Sequence, residues 1–303
     1  MVFSAIIFKQ LSDKDFIILQ SIEKLMRTQE YVRVTDLPQE SNFTLAFVLR
    51  RLQFIQQYKL IDIRRKDREY HAVQLNYNGY DTLAFHELIN KEIFEFLGPE
   101  IGAGKESDAF LVSDRNDKVG IVKIHRLGMG TFRSVRRSRT YLAKKHFSSS
   151  LYDSKLAASH EANILKKLQG IINVPSLWGY NRHCIVMDYI DGVDLFKVTN
   201  LDKEDYNNLF QELFSMIKVM ASNNIIHGDL SAFNIIITKN EEKNLLIPYI
   251  IDFPQAIPPD HPNALDRILF DLDNIFSFFM KKGVNVPYDD LEKIAEDLIL
   301  SSN

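Results

Sequence analysis

Three polar residues in two short stretches have the types and the spacing that phosphoryl transfer requires. The first stretch, residues 227–234, carries Asp229 and Asn234 between an apolar pair and a β-branched run. A loop of this length can direct a carboxylate and an amide oxygen into one site. The second stretch, residues 249–253, is an apolar run with Asp252 near its end. Such groups hold a Mg²⁺ ion and orient or deprotonate the attacking group in phosphoryl transfer.

A glycine-containing segment upstream provides backbone groups that could approach phosphates closely. Its residues are Gly102, Ala103, Gly104, Lys105, Glu106, Ser107 and Asp108. The spacing differs from that of a Walker loop. Lys123 follows inside the apolar run 119–124, where its desolvation must be offset by an anionic group such as a triphosphate. The alternative is a lysine on an edge strand whose ammonium group reaches solvent.

Helices and strands must position these groups. The spacing of apolar residues predicts a helix over 154–168 that carries Glu161, which would orient Lys123 unless it is an ordinary surface glutamate. A further helix over 203–222 leads into the loop at 227–234. The strand that begins at residue 185 runs into a hinge at Met187, Asp188 and Ile190. The similar segment of a protein kinase offers backbone groups to adenine, so we expect the same of these residues.

Residues 1–84 form a separate pattern of three helices and a hairpin, which predicts a winged helix. The third helix should start after Asn42 and direct five apolar residues inwards: Leu45, Val48, Leu49, Leu52 and Ile55. With twelve basic and ten acidic residues, this region has a net charge of only +2. Arg50, Arg51 and the basic turn at 64–68 could still contact phosphates, although a protein-docking module is an equal alternative.

The segment from Arg126 to His146 contains seven basic residues and no acidic residue. Gly128 and Gly130 break periodic structure at its start. We expect a basic loop with a short helix that is mobile until it meets RNA or another phosphate-rich surface. A loop that is merely solvated is the competing interpretation.

Overall composition is that of a soluble globular protein, with 46% hydrophobic and 25% charged residues and a net charge of −3. This charge argues against bulk affinity for nucleic acid. The single cysteine, Cys184, lies in an apolar run and is expected to be a buried structural thiol. One cysteine fits a reducing compartment, and the sequence suggests neither a signal peptide nor a membrane span. We therefore expect a cytoplasmic protein.

Taken together, these motifs resemble those of the RIO atypical protein kinases, in particular the second subfamily, which carries a winged helix. The resemblance covers nearly the whole chain and depends on residues 102–108, 122–128, 227–234, 251–255 and 261–264. Gly228 and Pro254 replace the arginine and the glycine of the corresponding motifs in ordinary protein kinases. No Ala-Pro-Glu follows Asp252, so we expect no full peptide-docking lobe.

The resemblance implies an α+β protein with a winged helix followed by a truncated bilobal kinase-like domain. The predicted bounds are 1–84 for the winged helix, 85–92 for a connector, and 93–190 and 191–303 for the two lobes. It also implies an atypical serine/threonine kinase or ATPase that uses ATP with Mg²⁺ or Mn²⁺. The implied roles are a phosphoaspartate intermediate at Asp252 and maturation of the small ribosomal subunit, on a precursor particle with its rRNA and proteins.

In this interpretation Asp229, Asp252, Asn234 and Lys123 are catalytic, and Asn234 and Asp252 bind the metal. Two alternatives remain at this point. One is a nucleic-acid-binding regulator with an inactive kinase lobe, against which the intact set of polar residues argues. The other is a small-molecule phosphotransferase, since such enzymes also use His-Gly-Asp loops; the winged helix argues against it.

Overall fold

The computed structural model describes residues 10–66, 69–103, 106–127, 150–240, 242 and 245–300. The chain divides into two compact units, Met1–Ser159 with Gly179–Val186, and His160–Trp178 with Met187–Asn303. Each unit is described by itself. None of the described helices combines the length and the apolar composition that a membrane span requires.

The first unit begins with the predicted winged helix. Its helices are α1 Asp13–Leu25, α2 Leu37–Ser41 and α3 Leu45–Gln57, with a short 3-10 helix at Val34–Asp36. Its strands are β1 Val32–Arg33, β2 Ile61–Lys66 and β3 Glu69–Leu75, in the sheet order β1-β3-β2. α1 begins where the Ser12 backbone N–H and hydroxyl donate to the Asp15 carboxylate, at 2.8 and 2.7 Å. The prediction of three helices and a hairpin is confirmed.

Two details of the winged helix differ from the prediction. Leu45 is 41% exposed rather than buried, because it is the first residue of α3 and lies beyond the core that Val48, Leu52 and Ile55 fill. Arg51 binds the buried Asp15 carboxylate through Nε and Nη2 at 2.6 and 2.5 Å. Its charge therefore stabilises the core of this domain, and Arg50 is the exposed member of the pair.

Helix α4, Tyr77–Asn90, spans the predicted boundary at residues 84 and 85. The Asn76 side chain caps it by accepting from the Gly79 N–H at 3.2 Å. The helix buries Leu83, Ala84, Phe85 and Leu88, so its apolar face is part of the core of the first unit. Asp81 is also buried within it.

A five-stranded sheet follows, in the order β4-β5-β6-β8-β7. The strands are β4 Phe96–Ala103, β5 Ser107–Ser113, β6 Val119–His125, β7 Leu177–Asn181 and β8 Cys184–Asp188. Helix α5, Ser150–Leu168, precedes β7; α5, β7 and β8 each continue from one unit into the other. Cys184 is fully buried, as expected, and burial raises the pKa of its thiol well above the usual value.

The second unit contains a three-stranded antiparallel sheet in the order β11-β10-β9. Its elements are β9 Val193–Asp194, α6 Lys203–Ser222, β10 Ile235–Asn240, β11 Leu245–Ile250, α7 Ala264–Lys281 and α8 Leu291–Leu300, with 3-10 helices at Leu195–Lys197, Ala232–Asn234 and Tyr288–Asp290. α6 has the predicted bounds. Phe210 of α6 packs against Phe276 and Phe279 of α7, with ring centroids 5.5 Å apart in both pairs. Ile235 pairs with Ile250, so the loop before β10 and the loop after β11 lie at the same end of the sheet.

Candidate active site

The phosphate-binding groups predicted in the first unit lie on three adjacent antiparallel strands. Gly102 pairs with Ala109 across β4 and β5, and Ala109 pairs with Lys123 across β5 and β6. Gly104 and Lys105 lie outside the described residues, between the ends of β4 and β5. β6 is an interior strand and the Lys123 side chain is buried at 9% exposure, so the alternative of a lysine on an edge strand is wrong. The sheet therefore places Lys123 on β6, the strand directly next to the glycine-containing hairpin.

The predicted catalytic loop, residues 227–234 in the second unit, is ordered by hydrogen bonds to its own backbone. Asn234 Nδ2 donates to the Asp229 carbonyl at 2.8 Å, and the Asn234 N–H donates to the Ser231 carbonyl at 3.0 Å. The first bond fixes which amide atom is the donor, so Oδ1 is the atom that can coordinate a cation. Asp229 is exposed at the start of this loop, where its carboxylate can reach an incoming group.

Asp252 is joined to the same loop by the backbone, since the Ile251 N–H donates to the Asn234 carbonyl at 3.0 Å. The structure thus brings the second predicted stretch next to the first. Asp252 has a φ of +71°, in the left-handed region that non-glycine residues rarely adopt. Such conformations are held by their surroundings and cluster at functional sites. Here the neighbouring Phe253 is fully buried and packs on the His227 ring, with centroids 4.8 Å apart.

His227 stabilises the junction between these two stretches. Its Nε2 lies 3.1 Å from the Ile251 carbonyl, which can only accept, so Nε2 carries the proton. Its Nδ1 is buried and makes no hydrogen bond to any described residue. The histidine therefore acts as a packed donor behind the loop that carries Asp252.

Glu161 is 1% exposed, which makes the alternative of a surface glutamate wrong. Its Oε1 accepts from the Phe253 N–H at 3.3 Å. Glu161 therefore contacts the residue that follows Asp252, within the second unit. Its role in orienting Lys123 stays a prediction.

The predicted hinge residues are partly engaged in the structure. Asp188 accepts from Trp178 Nε1 at 2.6 Å, and its N–H donates to the Ser176 carbonyl at 3.0 Å. Met187 is buried and Ile190 is half-buried. Because the Asp188 N–H is already bonded, this group would not be the one that meets an adenine ring.

Asp271 on α7 anchors the loop at residues 227–234 and was not predicted from the sequence. Its two carboxylate oxygens accept from the Gly228 and Leu230 N–H groups, each at 2.7 Å, on either side of Asp229. Burial raises the pKa of Asp271, against the opposing effect of His227 and of these N–H groups. A single charged residue on the apolar face of the helix 264–281 is the sequence signal that could have identified it.

Two further side chains of α7 donate hydrogen bonds to the carbonyl groups of the same two loop residues. Arg267 Nη1 donates to the Gly228 carbonyl at 3.1 Å, and Asn274 Nδ2 donates to the Leu230 carbonyl at 3.0 Å. The backbone on both sides of Asp229 is therefore fixed by donors and acceptors from one helix.

Replacing Asp271 by Asn should loosen this anchor. An amide can accept only one of the two N–H groups and places an NH₂ group against the other, so we expect about 2 kcal/mol lower stability. Activity that depends on Asp229 should fall with it. Urea unfolding and ATP turnover measure the two effects. Asp266→Asn, at an exposed position of the same helix, is the matched control and should change neither.

Gly228 occupies a position that excludes any side chain. Its φ is +77°, and a Cβ atom there would lie 2.6 Å from the Gln255 carbonyl oxygen. Both the backbone conformation and the close approach to the neighbouring loop therefore require glycine.

Arg126, the first residue of the predicted basic segment, already pairs with two carboxylates. It is bound to Asp81 and Asp108, and its side chain is 15% exposed. Burial opposes its charge, but the bonds to Asp81 and the charge of that carboxylate raise the pKa of Arg126 above its usual value. The rest of the segment, from residue 128 onwards, lies outside the described residues.

Comparison with known proteins places this arrangement in a family. A family model for the RIO domain matches residues 108–292, and one for the N-terminal domain of Rio2 matches residues 8–91. The chain is 34% identical to the serine/threonine-protein kinase rio2 of Dictyostelium discoideum over 90% of its length, and spans 51% of that relative. It is 32% identical to the RIO-type serine/threonine-protein kinase Rio2 of Methanocaldococcus jannaschii, over 89% of this chain and 98% of that one.

Among solved structures, the chain is similar to a Rio2 kinase from Chaetomium thermophilum that was crystallised as an ADP/Mg²⁺-phosphoaspartate complex. The TM-score is 0.79 and the sequence identity 31%, with 94% of this chain and 87% of the other covered. The chain spans about half the length of one curated relative and nearly all of another. Both domains are matched in the order predicted from the motifs, and the chain belongs to the RIO kinase family, in its second, winged-helix-bearing subfamily.

Proposed function

We propose that the protein is an ATP-dependent phosphotransferase of the atypical serine/threonine kinase type and turns over ATP through a phosphoaspartate. The observation that carries this proposal is the pair of joined loops in the second unit. There one backbone hydrogen bond connects Asn234 to the residue before Asp252, and Asn234 is bonded to Asp229. The Chaetomium kinase, which contains ADP, Mg²⁺ and a phosphoaspartate, supports it.

The proposed nucleotide-binding groups are those of the motifs that resemble a kinase site. In this proposal residues 102–108 cover the phosphates and Lys123 neutralises them, because a buried ammonium group gains most from an anionic partner. Glu161 orients Lys123, and the backbone near Met187 and Ile190 contacts the adenine.

Asn234 Oδ1 and the Asp252 carboxylate are the groups that would hold the metal. Both are hard oxygen ligands, which suit Mg²⁺ and also Mn²⁺. The bound cation would neutralise charge on the phosphates during transfer. The hydrogen bond that orients the Asn234 amide and the left-handed backbone at Asp252 support this assignment.

In the first step, an Asp252 carboxylate oxygen attacks the γ-phosphorus, and the bond to the oxygen that bridges the β- and γ-phosphates breaks as ADP leaves. In the second step, water attacks the same phosphorus while the exposed Asp229 orients it and takes its proton. The bond between phosphorus and the Asp252 oxygen breaks, which releases phosphate and restores the carboxylate.

We further propose that this turnover serves maturation of the small ribosomal subunit in the cytoplasm. The family resemblance supports the ribosomal role, and a single cysteine fits a reducing compartment. Contacts to the precursor particle, its rRNA and its proteins would come from the basic segment after residue 127 and from exposed residues of the winged helix such as Arg50.

Incubation with γ-labelled ATP and Mg²⁺ tests the proposal, because it reports where the phosphoryl group goes. We expect free phosphate and a protein-bound label that hydroxylamine removes, as for an acyl phosphate. Asp229→Ala should accumulate this label, since hydrolysis slows more than formation. No turnover would favour a nucleic-acid-binding regulator with an inactive lobe. Label that appears only on an added small molecule would favour a small-molecule phosphotransferase.

A further inference from the structure

A buried charged network connects helix α4 to Arg126, which directly follows the end of β6, the strand next to the glycine-containing hairpin. Asp81 of α4 is buried, and its two carboxylate oxygens accept from Arg126 Nη1 and Nη2 at 2.6 and 2.9 Å. His183 Nε2, also fully buried, donates to the same carboxylate at 2.7 Å. The Arg126 guanidinium is therefore held in one orientation from the α4 side.

The other contacts of Arg126 are with the segment proposed to cover the phosphates. Its Nε donates to the Asp108 carboxylate at 2.9 Å, and its backbone N–H donates to the Glu106 carbonyl at 2.7 Å. Glu106 and Asp108 lie at the end of the segment 102–108 that joins β5. Arg126 thus binds both the backbone and a side chain of this segment.

The base of the network is fixed by further contacts from α4 and α5. Tyr77 of α4 donates to the Leu127 carbonyl at 2.7 Å, and Ser154 of α5 accepts from the Leu127 N–H at 2.9 Å. The residue that follows Arg126 is therefore held on both of its backbone polar groups. Because Arg126 is fixed at its backbone and at its guanidinium, it can hold Glu106 and Asp108 in one place.

We propose that Asp81 and Arg126 are positioning residues that hold Glu106 and Asp108, at the β5 end of segment 102–108, so that nucleotide affinity depends on a helix of the N-terminal region. Asp81 lies within the part of the chain that matches the N-terminal family model, and Arg126 lies within the part that matches the RIO domain model. The proposal rests on the proposed function, in which segment 102–108 covers the ATP phosphates. Asp108 then serves as an anchor for the segment and not as a phosphate ligand.

Substitutions at Asp81 and Arg126 test the proposal. Asp81→Asn replaces one of the two acceptors of the guanidinium with an NH₂ donor. Arg126→Lys leaves one ammonium group that cannot bind Asp81 and Asp108 together. We expect ATP·Mg²⁺ to bind at least ~10-fold more weakly in both, measured by calorimetric titration, because the segment is no longer held ready for the phosphates.

The control is Asp15→Asn, which breaks the comparable bidentate bond between Asp15 and Arg51 in the same unit, away from segment 102–108. It should lower the melting temperature and leave ATP affinity at the wild-type value. Equal affinity losses in Asp15→Asn and Asp81→Asn would mean that general destabilisation explains the effect, and the proposal would fail.

If Asp81→Asn does not fold, substitutions of Asp108 provide a second comparison. Asp108 is more exposed than Asp81, so replacing it should disturb folding less. Asp108→Asn keeps an acceptor for Arg126 Nε and should retain most of the affinity, whereas Asp108→Ala should lose it. Identical affinities for wild type, Asp108→Asn and Asp108→Ala would overturn the proposal. If the wild-type protein itself did not bind ATP·Mg²⁺, the proposed function would be refuted instead.

Discussion

Asp252→Asn is expected to eliminate both ATP turnover and the hydroxylamine-sensitive label. The amide is not a nucleophile towards phosphorus and is a poorer metal ligand than the carboxylate, so the rate should fall by at least ~10³-fold. Asparagine is the substitution of choice because it tolerates the left-handed backbone that residue 252 adopts, at a φ of +71°. Alanine would add backbone strain to the loss of the carboxylate.

The measurements for this variant are the release of labelled phosphate and the amount of label bound to the protein. Asp260→Asn, at an exposed aspartate in the same connection between β11 and α7, should behave as wild type. Hydroxylamine-resistant label that persists in Asp252→Asn would show that the acceptor is another residue, such as a serine. The comparison separates loss of the acceptor from a general effect of removing one negative charge.

Lys123→Met should weaken the binding of ATP·Mg²⁺ by about 10²-fold and reduce turnover further. Methionine retains much of the buried apolar stem of Lys123, so the interior strand β6 should keep its packing while the ammonium group is lost. In a site of low dielectric constant, a charge that neutralises phosphates contributes several times what it would in water. Titration with nucleotide and a turnover assay measure the two effects.

Lys118→Met is the matched control, since Lys118 is exposed one residue before β6 begins. It should bind ATP with wild-type affinity. If Lys123→Met also retained wild-type affinity and turnover, Lys123 would be a structural residue and the nucleotide site would have to be sought elsewhere.

Local sequence signals were sufficient for the elements that carry the candidate site. The apolar period of residues 203–222 predicted α6 with its observed bounds, and the β-branched run after residue 234 predicted β10. In both cases the pattern of apolar residues and the residues that flank it lie within one short stretch of sequence, so the element could be predicted without knowledge of its tertiary contacts. The positions of Asp229, Asn234 and Asp252 could likewise be predicted, because each of these residues lies next to a helix or strand with a clear local pattern.

The partners of buried charges could not be predicted in the same way. Asp271 binds backbone groups 43 and 41 residues away, and Asp81 binds Arg126 at a separation of 45 residues. Their pairing depends on how the elements pack in three dimensions, which periodicity does not report. For the same reason Arg51 and Arg126 were counted as free basic residues, although each forms an ion pair with an aspartate on another element.

The tight fit around Gly228 also bears on how this family could evolve new regulation. Ordinary protein kinases carry at this position an arginine that often receives a phosphate from the activation loop. Here a point mutation to arginine would force a side chain into the Gln255 carbonyl and an L-residue into a left-handed backbone. Such a variant would lose the loop geometry before it gained the switch. Control by this route is therefore inaccessible to single substitutions, and selection for a regulated enzyme would have to act on other surfaces of the protein.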